Sequence, residues 1–263
     1  MKLKTELPLV VLTYPGHFLS TVLTIRSYLE YHIPTEVIIV ADDLSPYAWD
    51  SYLQDCRDLY WAPVIPISQA HRLKEFNNGW IRQQIAKLHL DQLIDLNSWF
   101  FTDGDIVFLH AVDPTDTPYS TPDFSAISQQ QHKYIQELLN ISNPGIRVNN
   151  RLVCVSDPPF RSMSAQILTQ LRSHIGARIH LTGAGMSEWE LIENFRQHVL
   201  GESLKLVRYA PHNILNPDKK LDYFSHQFLT HYGTDRDLGK EYFVDQDVTV
   251  LDQIWQKIVN ISK

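Results

Sequence analysis

Asp103-Gly104-Asp105 places two carboxylates one residue apart, just past the apolar run Trp99-Phe100-Phe101-Thr102. Glycine permits the tight backbone that lets both turn toward one ligand. Hard divalent cations take oxygen ligands, and Mg²⁺ or Mn²⁺ is usually held by one or two carboxylates together with substrate phosphates. The same residues fit a plain turn, since Asp-Gly is a common hairpin signal and a second β-type run, Ile106-Val107-Phe108-Leu109, follows. The two readings are compatible, because a metal site can sit on such a turn.

Two further segments carry groups suited to chemistry. In Gly79-Trp80-Ile81-Arg82-Gln83-Gln84-Ile85-Ala86-Lys87-Leu88, Ile81, Ile85 and Leu88 form an apolar stripe at helical spacing. Trp80, Gln84 and Lys87 share a neighbouring face, from which an amide and an ammonium could reach a sugar or phosphate. Read alone, the segment is better explained as a solvated helix face; the functional reading gains weight because this helix feeds directly into the strand that ends at Asp103. In Gly185-Met186-Ser187-Glu188-Trp189-Glu190, Ser187 and Glu190 match a capping box, which leaves Glu188 over in the first turn. The helix dipole favours an anion there and would hold it ionised, as a general base requires. Simple complementarity to the dipole is the competing account. Among the twelve histidines, His212, His226 and His231 cluster late. His231 is the preferred third ligand beside the two aspartates, because Gly233 close by allows a ligand to approach the backbone.

The elements that must position these groups follow from hydrophobic pattern. Leu9–Thr13 is a buried strand ending at Tyr14-Pro15-Gly16-His17, and residues 18–31 read as a helix. A second strand, 36–41, ends on Asp42-Asp43. A short helix is predicted over 47–56, a third strand near 58–65, a long helix from 78 or 79 to about 96, and a fourth strand over 99–103. Buried strands joined through helices give an α/β fold with a mostly parallel central sheet and helices on both faces. Ligands of such sheets bind beyond the carboxyl ends of the strands, so residues 13–17, Asp42-Asp43 and Asp103-Gly104-Asp105 should share one crevice. The second half predicts strands at 125–128, 152–155 and 204–209, and helices at 130–140, 160–174, 187–199 and 248–259. One continuous domain is expected, without repeats or a linker.

Composition narrows the class. Lysine and arginine total 23 against 30 acidic residues, a formal charge of −7 over 263 residues. That argues against a general nucleic-acid binder. Hydrophobic residues at 44% and charged residues at 20% describe a globular chain. Cys56 and Cys154 make neither a disulfide framework nor a metal pattern and read as buried thiols. No apolar run approaches the roughly 20 residues that span a bilayer. A soluble, cytoplasmic protein is expected, with peripheral membrane association through a partner left open.

The ordered set resembles the GT-A glycosyltransferases. It runs strand–Tyr-Pro-Gly-His, strand–Asp-Asp, Gly-Trp-x-x-Gln-Gln-x-x-Lys-Leu, Phe-Thr-Asp-Gly-Asp-x-Val-Phe and Ser-Glu-x-Glu-Leu over about residues 8–200. More narrowly it is similar to a little-characterised bacterial group linked to capsule and other surface polysaccharides. The resemblance implies a GT-A-like, Rossmann-like single domain. Residues 1–110 would bind a nucleotide-sugar, a UDP-sugar by default, and residues 111–263 a glycan or lipid-linked acceptor. It implies that Asp42 or Asp43 meets the nucleoside and that Tyr14 and His17 line the same pocket. Arg82, Gln84 and Lys87 would approach the donor. Asp103 would contact the ribose or sugar and, with Asp105 and His231, hold Mn²⁺ or Mg²⁺. Glu188 would be the general base. The polar run Arg147-Val148-Asn149-Asn150-Arg151 departs from the family's pattern on the acceptor side.

Two other readings compete. A haloacid-dehalogenase-type phosphatase would use Asp103 as nucleophile, but that motif usually opens the chain, and no downstream lysine and paired aspartates follow here. A non-catalytic carbohydrate- or partner-binding module would use Trp80, Trp189 and Tyr232 as stacking platforms.

Overall fold

The computed structural model describes residues 2–13, 18–42, 63–67, 79–104, 106, 108, 111–119, 129–148, 151–155, 160–176, 178 and 187–208. In chain order the strands are β1 (Leu3–Lys4), β2 (Leu9–Thr13), β3 (His32–Ile33), β4 (Val37–Ala41), β5 (Val64–Pro66), β6 (Ser98–Asp103), β7 (Thr117–Tyr119), β8 (Ile146–Val148), β9 (Arg151–Val153), β10 (Phe160–Ser164) and β11 (Leu206–Arg208). The helices are α1 (Phe18–Tyr31), α2 (Gly79–Lys87), α3 (Leu90–Leu93), α4 (Gln129–Leu139), α5 (Ala165–Ile175) and α6 (Glu188–Asn194), the last continued by a π-turn over Phe195–Val199. The α/β class and the mostly parallel central sheet expected from the sequence are observed. No helix among the described residues is long and apolar enough to cross a membrane.

The chain forms two compact units. One comprises Met1–Pro66, Phe100–Asp113 and Ala210–Lys263, the other Ile67–Trp99 and Pro114–Tyr209. In the first, the strands run in the order β6-β2-β4-β5, all parallel. Every residue of β2 is buried, which is why Leu9–Thr13 is continuously apolar and does not alternate. Register pairs Thr13 with Ala41 and Leu12 with Asp103. The carboxyl ends of three neighbouring strands therefore lie level with one another.

Helix α1 is buried along Thr21–Ile25, including hydroxyls. Those hydroxyls have partners. Thr24 accepts the Ile106 N–H at 3.0 Å, and Ser27 accepts the Phe108 N–H at 3.0 Å. His32, just past the helix, accepts the Val112 N–H at 2.9 Å. Side chains of α1 and of the residue that follows it thus supply acceptors to the chain beyond Asp103-Gly104, which would otherwise bury orphan donors. Tyr28 fills the space between, stacked on His32 at 4.1 Å and packed on Phe100 and Phe108 at 5.2 Å each.

The second unit corrects two expectations. The segment 160–174, predicted as one helix, begins as strand β10 and becomes helix only at Ala165. Phe160, Arg161 and Met163 are buried there, so tertiary burial overrides a helical reading of the run. The long helix predicted over 78–96 is broken into α2 and α3. His89 Nδ1 pairs with the Ile85 carbonyl at 2.9 Å, and the Arg172 guanidinium bonds the Leu88 carbonyl. The same guanidinium grips Asp91 through two N–H···O bonds of 2.5 Å, tying α5 to α3. The elements expected at 47–56, 125–128 and 248–259 lie outside the described residues.

Candidate functional site

Two groups of expected residues can be placed, one in each unit. In the first unit, Asp42 follows β4 and is buried, and its N–H donates to the Thr13 carbonyl at 2.9 Å. Asp103 closes β6 and is partly exposed. The register sets them on either side of the carboxyl end of β2. Gly104 follows Asp103 because nothing larger fits. A Cβ there would lie 2.6 Å from Thr21 Oγ1 and 2.9 Å from the Leu12 carbonyl oxygen. Thr21 cannot swing away freely, since its hydroxyl shares a 2.5 Å hydrogen bond with that of Thr13. The glycine of Asp-Gly-Asp thus serves close approach between the chain, β2 and α1.

In the second unit, the motif on α2 meets the motif on α6. Lys87 Nζ lies 2.6 Å from Glu188 Oε1, and both side chains are almost fully buried, 4% and 2% exposed. Gln84, one turn earlier on the same face, accepts the Glu188 N–H through Oε1 at 3.3 Å. Ser187 Oγ accepts the Glu190 N–H at 3.4 Å. Two of the orphan donors at the start of α6 are thereby capped by side chains. Arg82 is also buried on α2.

Only half of the expected capping box forms around Ser187. The Glu190 carboxylate turns away and accepts the Val155 N–H at 2.7 Å. Arg161 bonds the carbonyl of the same residue, so both backbone groups of Val155 are held by buried titratable side chains. Arg161 also pairs with Glu193 at 3.1 Å. Glu193 in turn bonds Arg196 at 3.2 Å. The Trp189 ring carries Arg161 at 4.1 Å and Lys87 at 5.1 Å. Asn194 links the far end of α6 to its surroundings. Its amide donates to the Glu190 carbonyl at 2.7 Å, and its Oδ1 accepts the Gly145 N–H at 2.6 Å.

Of three glutamates within six residues, two meet cations from α2, β10 and the π-turn. Glu188 and Glu193 have direct ion-pair partners. Glu190 has backbone and neutral donors, and burial pushes its carboxyl up to about 7, against the pull of Val155, Cys154 and Arg161. Burial likewise lowers the Arg161 guanidinium, and Glu193 offsets this.

The structure therefore brings Gln84 and Lys87 together with Glu188, and sets Asp42 and Asp103 on either side of the end of β2. Tyr14, His17, Asp43, Asp105 and His231 lie outside the described residues. Among the described residues no three histidine, cysteine or acidic side chains cluster as a metal site. Of the three expected metal ligands only Asp103 is described. Trp189, one of the proposed stacking platforms, is 2% exposed and packed beneath two cations. Trp80 and Tyr232 have no described side chain.

Sequence reasoning passed over Arg161, Glu193 and Asn194. The available signal was the density of acid on α6. Glu188, Glu190 and Glu193 on a helix otherwise apolar enough to be buried require cations from elsewhere. A lone arginine between Phe160 and Met163 was a ready source.

No family model matches this chain, and no curated protein matches it. Among solved structures it is similar to a galactosyltransferase, LgtC, in complex with donor and acceptor sugar analogs. Identity is 10% over 72% of this chain and 70% of that one, with a TM-score of 0.44. It is also similar to the bifunctional glycosyltransferase WbbM, at 14% identity over 87% of this chain and 44% of that one, with a TM-score of 0.45. An inositol-1-phosphate CTP transferase from T. maritima matches at 9% identity over 77% of this chain and 85% of that one, with a TM-score of 0.41.

Proposed function

We propose that this chain is a metal-dependent glycosyltransferase. It would move a sugar from a nucleotide-diphosphate donor, a UDP-sugar first among them, to a hydroxyl of a glycan or lipid-linked acceptor in surface polysaccharide synthesis. The observation that carries the reading is the register of the parallel sheet. Asp42 and Asp103 flank the carboxyl end of β2, where ligands of such sheets bind. In this reading Tyr14, His17, Asp42 and Asp43 form the donor side with Asp103.

The partly exposed carboxylate of Asp103 offers the oxygen donors that a hard cation takes. Asp103, Asp105 and His231 would hold Mn²⁺ or Mg²⁺. Held there, the ion would supply positive charge to offset the negative charge gathering on the leaving diphosphate. Glu188 accepts the proton of the attacking hydroxyl. The acceptor oxygen bonds to the anomeric carbon as that carbon's bond to the diphosphate oxygen breaks. The bonding pair leaves with the diphosphate, and the proton ends on the Glu188 carboxylate.

The test is a thermal-shift panel of UDP, GDP, CDP and ADP, each with and without Mn²⁺, on wild type and on Asp105→Asn. A ligand bound only to the native state at a hundred times its Kd adds about 2.7 kcal/mol of apparent stability. One nucleotide should raise the Tm in a Mn²⁺-dependent way, and Asp105→Asn should lose that shift. No shift with any nucleotide would overturn the donor site. Glu188→Gln should lower turnover by roughly 10²- to 10⁴-fold while leaving nucleotide affinity intact. Full activity in that variant would remove the base assignment.

A further inference from the structure

We propose that Lys87 acts through Glu188, as a positioning residue that holds the base ionised and in a fixed place, and that it makes no contact with the donor. This rests on the reading of Glu188 as the general base. Gln84 and Lys87 stand one turn apart on α2, and both reach the same residue, 101 or more positions away in the sequence. Gln84 takes its backbone N–H and Lys87 takes its carboxylate. Main chain and side chain of Glu188 are thus fixed from one rigid face, which is how a catalytic group is held to its working geometry.

The energetics point the same way. A buried ion pair is weak evidence for stability, because two apolar side chains of similar volume do as well or better. What an apolar pair cannot do is keep a carboxylate charged after it has been taken out of water. With 2% of its side chain exposed, Glu188 has little solvent to stabilise its anion. The ammonium at 2.6 Å does that work. The Trp189 ring lies 5.1 Å from Nζ and adds a cation–π contact to the lysine. Among the described charged groups, Lys87 on α2 bonds Glu188, Arg161 on β10 couples with it electrostatically, and Glu190 and Glu193 share its helix. Arg161 and Arg196 share Glu193, and Arg161 also bonds Val155. The Lys87 ammonium bonds the Glu188 carboxylate directly.

The experiment follows Glu188 by ¹³C-carboxyl NMR, assigned with Glu188→Gln, in wild type, Lys87→Met and Lys87→Arg. Removing the cation should raise the Glu188 titration midpoint by about one to three pH units. Arginine should bring it back toward the wild-type value. The acid limb of the turnover profile should move with it, and UDP affinity in the presence of Mn²⁺ should be unchanged. An unmoved midpoint in Lys87→Met overturns the proposal. So does a loss of UDP affinity of about tenfold or more in that variant, which would place Lys87 on the donor. If Lys87→Met fails to fold, Lys87→Met/Glu188→Gln removes both charges and leaves neither stranded. Retained UDP affinity there supports the proposal, and its loss overturns it. The NMR midpoint also separates this inference from the base assignment. A fully active Glu188→Gln would remove the base, whereas the midpoint tests the coupling itself.

Discussion

Replacing Glu190 with glutamine removes a titration that burial has displaced far from its ordinary range. Desolvation raises this carboxyl from 4.5 to about 7, and the donors around it do not cancel the rise. An acid with a raised folded pKa is favoured neutral by the fold. The unfolded chain releases the proton near pH 4.5, and the folded chain near 7. Between those values the folded state binds more protons, so stability falls as pH rises through the window and is level above it. The displacement corresponds to about 3 kcal/mol. Glutamine has nearly the same shape, keeps an oxygen for the Val155 N–H and stays neutral at every pH. The difference in unfolding free energy, variant minus wild type, should therefore climb by about 3 kcal/mol across the window. It should be flat on either side. Urea unfolding of both proteins at a series of pH values measures it, and titrations common to both cancel in the difference. A difference that stays level across the window would refute the reasoning. It would mean that Arg161 and the Val155 N–H keep Glu190 ionised at no cost despite its burial.

Two further substitutions probe the support of Asp103-Gly104. Gly104→Ala forces a methyl to within 2.6 Å of Thr21 Oγ1 and 2.9 Å of the Leu12 carbonyl. It should cost roughly 1–3 kcal/mol, read as a lower Tm, and an unchanged Tm would show that this strand end yields freely. Thr24→Val keeps the shape but takes the acceptor from the buried Ile106 N–H. That should cost roughly 1–3 kcal/mol in urea unfolding, with Thr24→Ser recovering most of it. Equal stability in all three proteins would mean that Ile106 finds another acceptor.

Local pattern carried the first half of the chain well. Leu9–Thr13 and residues 18–31 emerge with the bounds read from the sequence. Continuous burial writes a β-type run, and a helix covering a sheet shows an apolar stripe at helical spacing. Pattern failed where burial took polar residues. Arg161 lies in a strand that reads as helix because its inward position is filled by a guanidinium, whose partners are on another element. The break between α2 and α3 was hidden for the same reason. Arg172, which bonds the Leu88 carbonyl, lies 84 positions away. Glu190 was legible as a cap by spacing, yet its carboxylate serves Val155.

The sequence by itself determined the α/β class, the parallel strands and the identity of the groups able to do chemistry. These depend on residue type and on periods of two and 3.6, which any window of the chain displays. Only the tertiary structure decided which of those groups meet. Lys87 and Glu188 are 101 residues apart, and no local pattern couples them. Their pairing follows from the packing of α2 against α6. Within that packing, burial makes an unpaired charge too costly to leave and so fixes the partner of each one.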